Sequence, residues 1–167
     1  MNATLVKGSP VVHEHHERLV KHVDRMPRTG DLIDSGQPGE LKIALDETCA
    51  FLTELLVPHM EATERALYPE LERVLQNRHS MTPMRREHDL IRAEVKKLEA
   101  IRMSMGDQPL PPRDAVKLRR SIFQLYALLK IHLAEELLYG HMIEHGASVE
   151  DEAALATAME HSGITTC

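Results

Sequence analysis

"LLKIHLAEELLYGHM", residues 128–142, sets His132 and Glu136 inside a leucine-rich run. Helical steps of three and four from Leu118 give Ile122, Leu125, Leu129, His132, Glu136, Tyr139 and Ile143. The histidine and the glutamate therefore continue an apolar stripe and belong to the interior. An unpaired polar group there costs about 1–3 kcal/mol, so both need partners.

The same stepping works elsewhere in the chain. Residues 45–66 give Leu45, Cys49, Leu52, Leu56, His59, Thr63 and Ala66, and residues 84–98 give Met84, His88, Ile91, Val95 and Leu98. Near the start, either Val12, His16, Leu19, Val23 and Met26 or Val12, His15, Leu19, His22 and Met26 make a stripe. Each of four segments thus carries a histidine on its apolar face.

The punctuation separates these segments. Ser9 and Pro10 in "GSPVV" form a helix start, and Pro27 ends that helix near Met26. "PRTGDLIDSGQPGE" reads as a loop, followed by helix over roughly 40–77 with interruptions at Pro58 and Pro69. Thr82 and Pro83 open a third helix to about Met105, "GDQPLPP" breaks it, and a fourth runs from about Arg113 to His145. Ser148 then caps a short C-terminal helix. The expected fold is all-α, an antiparallel four-helix bundle with that short C-terminal helix. It is read as a single domain over 1–167, with a core of about 10–145 and an extension of 146–167.

Composition narrows the function. The chain has 167 residues, 43% hydrophobic but only 3% aromatic, so Leu, Ile, Val, Ala and nine methionines must fill the core. A net charge of −6 argues against general nucleic-acid binding. No apolar run approaches the length of a signal core or a membrane span, and two cysteines make no disulfide framework. The expected setting is cytoplasmic, with no nucleic acid or membrane partner and an open oligomeric state. No phosphate loop, nucleophile–base pair or dinucleotide fingerprint occurs, so enzymatic activity in the conventional sense stays open.

Four buried imidazoles at one level of a bundle are tolerable when a cation takes their lone pairs. Imidazole with carboxylate suits Fe, Mn, Zn, Ni or Cu rather than Ca or Mg. Glu136, one turn beyond His132, points into the same site.

The segments "EHHERL", "PHMEATERALYPEL", "REHDLI" and "HLAEELLY" resemble the hemerythrin-like, or HHE cation-binding, domain over about residues 10–145. The resemblance implies a four-helix bundle holding a non-haem di-iron centre through histidines of all four helices and two carboxylates. It implies a small diatomic or peroxide ligand, with a role in binding or sensing oxygen, peroxide, nitric oxide or iron. Carried over by position, it makes His16 the first-helix ligand, with His15 as substitute, followed by His59, His88, His132 and Glu136.

Two positions depart from that pattern. Thr63 stands where the family has a glutamate four residues after the second-helix histidine, and Arg92 where a second third-helix histidine is common. Two ferrous ions bring four positive charges, of which Glu136 offsets one. Glu64 is the candidate replacement. In a straight helix it lies about 140° around from His59, but Pro58 distorts the helix there, and a one-residue bulge would turn Glu64 inward. Glu61 and Glu135 are weaker candidates of the same kind. The expected metal set is His16, His59, Glu64, His88, His132 and Glu136, holding one or two irons, with zinc or manganese as substitutes. Without the repair, the remaining donors suit one metal.

Two other readings compete. Thr63 and Arg92 motivate a non-catalytic signalling or scaffold bundle with a degenerate site, and a haem protein would use His16 or His59 as axial ligand. Elsewhere, "HMIEH" places His141 and His145 at chelating spacing on a face turned from His132. Tyr139 is placed to donate to Glu136, and Cys49 reads as a small buried hydrophobe.

Overall fold

The computed structural model describes residues 10–35 and 37–146 together with Ala154 and Thr157, and side chains from His16 to Tyr139 within that span. The chain is all-helical, with no strand among the described residues. It comprises α1 (Pro10–Val23), α2 (Met26–Asp31), α3 (Pro38–Ala50), α4 (Val57–Ala62), α5 (Tyr68–Val74), α6 (Thr82–Ser104) and α7 (Pro112–Gly146). The short helix expected from Ser148 lies outside the described residues except at Ala154 and Thr157, which are helical. No helix among the described residues is long and apolar enough to cross a membrane.

Two expectations need correction. The stretch taken as a loop after Pro27 is mostly helical, forming α2, a 3₁₀ turn over Leu32–Asp34 and the start of α3. Pro27 stands in the first turn of α2, where its missing N–H is no loss, so it starts a helix as well as ending one. Nor do Pro58 and Pro69 interrupt the second segment. It is helical without a break over 38–74, and each proline instead follows a π turn, Phe51–Leu56 or Thr63–Leu67. A proline ring crowds the carbonyl four residues back, and a widened turn relieves that crowding.

α7 is the common wall. It packs against α6, α2 and α1, while α3 packs against α6. α2 approaches α7 closely at Gly30, where a Cβ would sit 2.8 Å from the Phe123 ring. The main core gathers Leu19, Val23, Leu45, Leu52, Leu56, Ile91, Leu98, Ile122 and Leu129. A smaller cluster of Leu67, Tyr68, Leu71, Met81 and Met84 closes the other end. Cys49 is only half-buried, its thiol pushed up to about 11 by burial and by Glu99 and Asp46. Outside the core, Arg102 spans from α6 to Asp46 of α3 with two bonds of 2.6 Å.

Gln76, after α5, holds a left-handed φ of 50°, while Asn77 N–H closes the helix end on the Glu72 carbonyl at 3.0 Å. A side chain there costs about 1–2 kcal/mol, part of which glycine returns through its greater unfolded freedom. Gln76→Gly is expected to stabilise the protein by about 0.5–1 kcal/mol, measured as a higher midpoint in urea unfolding.

Candidate metal centre

The histidines converge where the two apolar clusters meet. On α6, His88 lies between Met84 of the small cluster and Ile91 of the main core; on α7, Glu136 lies between Leu133 and Tyr139. His16, His59, His88, His132 and Glu136 are all buried, with His88 and His132 at 0% exposure.

Glu136 is the junction. Its Oε2 lies 3.0 Å from His16 Nε2 and 3.1 Å from His59 Nε2. Its Oε1 accepts the Tyr68 hydroxyl at 3.1 Å and stands 3.6 Å from His132 Nε2. Two donor triads result, His16–His59–Glu136 and His88–His132–Glu136, each with its ligand atoms within 4.8 Å of one another. Burial alone would raise the Glu136 carboxyl, but His59, His132 and His16 more than offset it and hold it well below the usual range.

Beyond the triads, carboxylates orient the rings. His88 Nδ1 meets Glu64 Oε1 at 2.6 Å, and His132 Nδ1 meets Glu87 Oε2 at 2.9 Å. A carboxylate only accepts, so each Nδ1 carries the hydrogen and each Nε2 of a neutral ring is left as a lone pair. These Nε2 atoms face each other at 3.0 Å, with the Tyr68 oxygen 3.1 Å from that of His88. Tyr68 has one hydrogen, which goes to Glu136. The lone pairs need a proton or a metal ion between them, so the donor set fits a cation on its own chemistry. Burial and the neighbouring His132 push His88 down to about 4, which keeps that ring neutral. Burial would lower His132 too, but Glu136 and Glu87 more than offset this and raise it, a sign of a pocket that favours positive charge.

The second helical segment explains which of its residues arrive. Tyr68 follows His59 by nine positions, about 180° around a straight helix, which would place it on the far side. The π turn at Thr63–Leu67 inserts one residue and takes back about 100°, bringing Tyr68 to the centre. The expected bulge therefore exists, but most of its rotation accumulates after Glu64. Glu64 stays on the α6 flank, against the outer nitrogen of His88, rather than among the inward-facing Nε2 atoms. Thr63 is fully buried and turns its hydroxyl back to the carbonyls of His59 and Met60, both at 3.0 Å. Arg92 points away from the centre, donating to Glu64 Oε1 at 2.8 Å and to Asp89 at 3.3 Å. Burial alone would raise the Glu64 carboxyl, but Arg92 and His88 more than offset it.

Among the first-helix alternatives, His16 reaches Glu136, whereas the His15 side chain lies outside the described residues; His22, from the same alternative stripe, is only half-buried and stacks on Phe51. Tyr68, not Tyr139, makes the bond to Glu136, while Tyr139 packs on the small apolar cluster. Glu61 is exposed, and Glu135 is half-buried, its carboxyl raised by burial and by Glu87. The side chains of His141 and His145 lie outside the described residues. Tyr68 and Glu87 were not singled out by sequence reasoning. Tyr68 lies inside the segment "PHMEATERALYPEL", but only the π turn gives it a place, and Glu87 falls off the apolar stripe of α6.

A helical protein with a buried donor set of this kind belongs to the metal-binding class. A family model for the hemerythrin HHE cation-binding domain matches residues 7–137, and the chain belongs to the hemerythrin family. Comparisons with curated proteins and with solved structures gave no significant match.

Carboxylates that orient ligand histidines commonly change metal affinity about 10–100-fold when removed. Glu64→Gln and Glu87→Gln are each expected to weaken metal binding within that range in competition with a chelator. Glu61→Gln, at an exposed position, is expected to leave it unchanged.

Proposed function

We propose that this chain is a non-haem iron-binding hemerythrin-like protein, an antiparallel four-helix bundle forming a single domain. It would bind or respond to oxygen, peroxide, nitric oxide or iron itself. The observation that carries this reading is the sharing of Glu136 by two buried histidine triads, each carboxylate oxygen serving one of them. That division suits two cations held side by side, His16 and His59 on one and His88 and His132 on the other. Iron is the choice that the family favours; zinc and manganese accept the same ligands.

Iron, when bound, supplies a redox-active Lewis acid able to engage a small oxidant. The chain's own residues do the remainder. Glu64 and Glu87 keep Nδ1 of His88 and His132 protonated and so aim both Nε2 atoms inward. Tyr68 brings one hydroxyl to the His88 side, held as a phenol by burial and by the Glu136 charge. The apolar clusters on either side exclude large substrates, which restricts ligands to small molecules. Glu136, Glu64 and Glu87 bring three negative charges close to the cations, and Arg92 neutralises part of one at its outer edge.

Thr63 and Arg92, the motive for a degenerate scaffold, have local explanations that leave the donors intact. A haem reading fits poorly because the Nε2 atoms of His16 and His59, its candidate axial ligands, are both taken up by Glu136 Oε2 at 3.0 and 3.1 Å.

The test is metal content and absorption of protein purified under iron-replete conditions. About two equivalents of iron and no Soret band are expected, and His132→Ala is expected to lose most of that metal. Less than about a tenth of an equivalent of any transition metal would overturn the reading. Tyr68→Phe is expected to keep the metal while altering the visible absorption of the oxidised protein; an unchanged spectrum would place the phenol outside the metal's reach.

A further inference from the structure

The outer face of α7 carries a second apolar stripe that the metal centre does not use. Val116, Phe123, Ile131 and Leu138 are 52%, 37%, 57% and 59% exposed, the Phe123 ring resting one edge on Gly30 of α2. At about 100° per residue they fall, with Ala127 and Ala134, in an arc of about 80°, opposite the face that carries Leu125, Leu129, His132 and Glu136. Large apolar side chains in one such row mark a contact surface more often than scattered ones do.

The row is symmetric in sequence. Phe123 and Ile131 stand four residues before and after Ala127, and Val116 and Leu138 stand eleven before and after it. A two-fold axis passing at Ala127 therefore lays α7 antiparallel on a second α7. It pairs Phe123 with Ile131 and Val116 with Leu138, twice over. The small Ala127 at the crossing lets the helices approach to about 8–10 Å. Charge selects the same direction. Exposed Arg120 lies on the N-terminal half, and Glu135, half-buried on the α6 side of the row beside Glu87, lies on the C-terminal half one position from exact opposition across the axis. A parallel pairing would set Arg120 against Arg120.

We infer that this chain forms a symmetric homodimer through the outer face of α7, with Ala127 on the two-fold axis. Such an interface is isologous, each copy presenting the same row to the other. From Val116 to Leu138 the row is about 33 Å long and roughly one helix wide, at the small end of specific interfaces, so micromolar association is expected. The metal centre lies on the opposite face of α7 and its ligands need no residue from the second copy. The inference does not rest on the identity of the metal.

Sedimentation equilibrium of the full metal-loaded chain from about 1 to 200 µM tests this. A species of about 38 kDa, twice the 18.9 kDa chain, is expected to grow in with concentration. Ile131→Glu is expected to weaken dimerisation at least about 100-fold with helicity and metal content unchanged, while Leu90→Glu, at an exposed apolar site on α6, leaves it intact. With Cys49 and Cys167 replaced by serine, Ala127→Cys is expected to form a covalent dimer on mild oxidation. A chain that stays monomeric at about 200 µM, or a dimer that Ile131→Glu does not weaken, overturns the proposal. A dimer that Ala127→Cys cannot cross-link overturns the antiparallel register.

Discussion

A single buried carboxylate holds the interior of this protein in register. Glu136 is 8% exposed, and its two oxygens reach different partners, one toward α1 and α4, the other toward Tyr68 and His132. An isolated carboxylate at that depth would carry a large desolvation cost and take up a proton. Here the surrounding imidazoles keep it ionised, so its charge stays available to cations. Because its partners come from three other helical elements, a rotation of any one of them would strand a polar group. The burial of the site and the phase of the helices are therefore one constraint.

The same constraint determines what was legible in the sequence. α6 and α7 are regular helices, and their histidines could be placed by counting: Met84, His88, Ile91, Val95 and Leu98 are all buried, as are Leu118 to Glu136 on their stripe. In the segment over 38–74 counting still finds Leu45, Leu52, Leu56, His59 and Thr63, all buried, and it slips beside and within the π turns, each of which shifts the phase by about 100°. Cys49 and Ala66, assigned to the stripe, are only half-buried, while Thr48 and Leu67 take buried places. Tyr68 was out of reach for the same reason. The prolines did signal irregular helix there, but a ring that crowds a carbonyl can be relieved by a break, a kink or a widened turn, and local sequence does not choose among them. Glu87 was missed on different grounds. Stripe analysis ranks faces, and a long flexible carboxylate at a stripe's edge can still reach across to a neighbouring helix.

Charge balance ties the two departures from the family pattern together. With Thr63 in place of a carboxylate, the interior loses one negative charge, and Arg92 could have made matters worse. Instead Glu64 lies between the two problems. It orients His88 from outside and draws the Arg92 guanidinium away from the centre. The negative charge is thus moved outward by one ring rather than lost, and through the polarisable imidazole it still makes His88 Nε2 a better donor. Tyr68 adds a neutral, proton-bearing group beside Glu136. On one side of the centre His16 and His59 share the carboxylate and meet edge-to-face, and on the other His88 and His132 have a phenol and two outer carboxylates.

α7 shows why periodicity alone could not have settled orientation. It carries apolar rows on opposite faces, one through Leu118, Ile122, Leu125 and Leu129 and one through Val116, Phe123, Ile131 and Leu138. Both satisfy helical spacing, and a helix apolar on two sides has little amphipathic contrast to say which side is core. The two polar residues that look out of place supply the answer. His132 and Glu136 are tolerable on the inner row only if other helices bring partners, and on the outer row they would need none. The other three segments each offer a histidine at matching depth, so the inner assignment is the one in which every polar group finds a use. A residue that weakens the hydrophobic pattern of its own helix can in this way carry more information about the fold than the leucines around it.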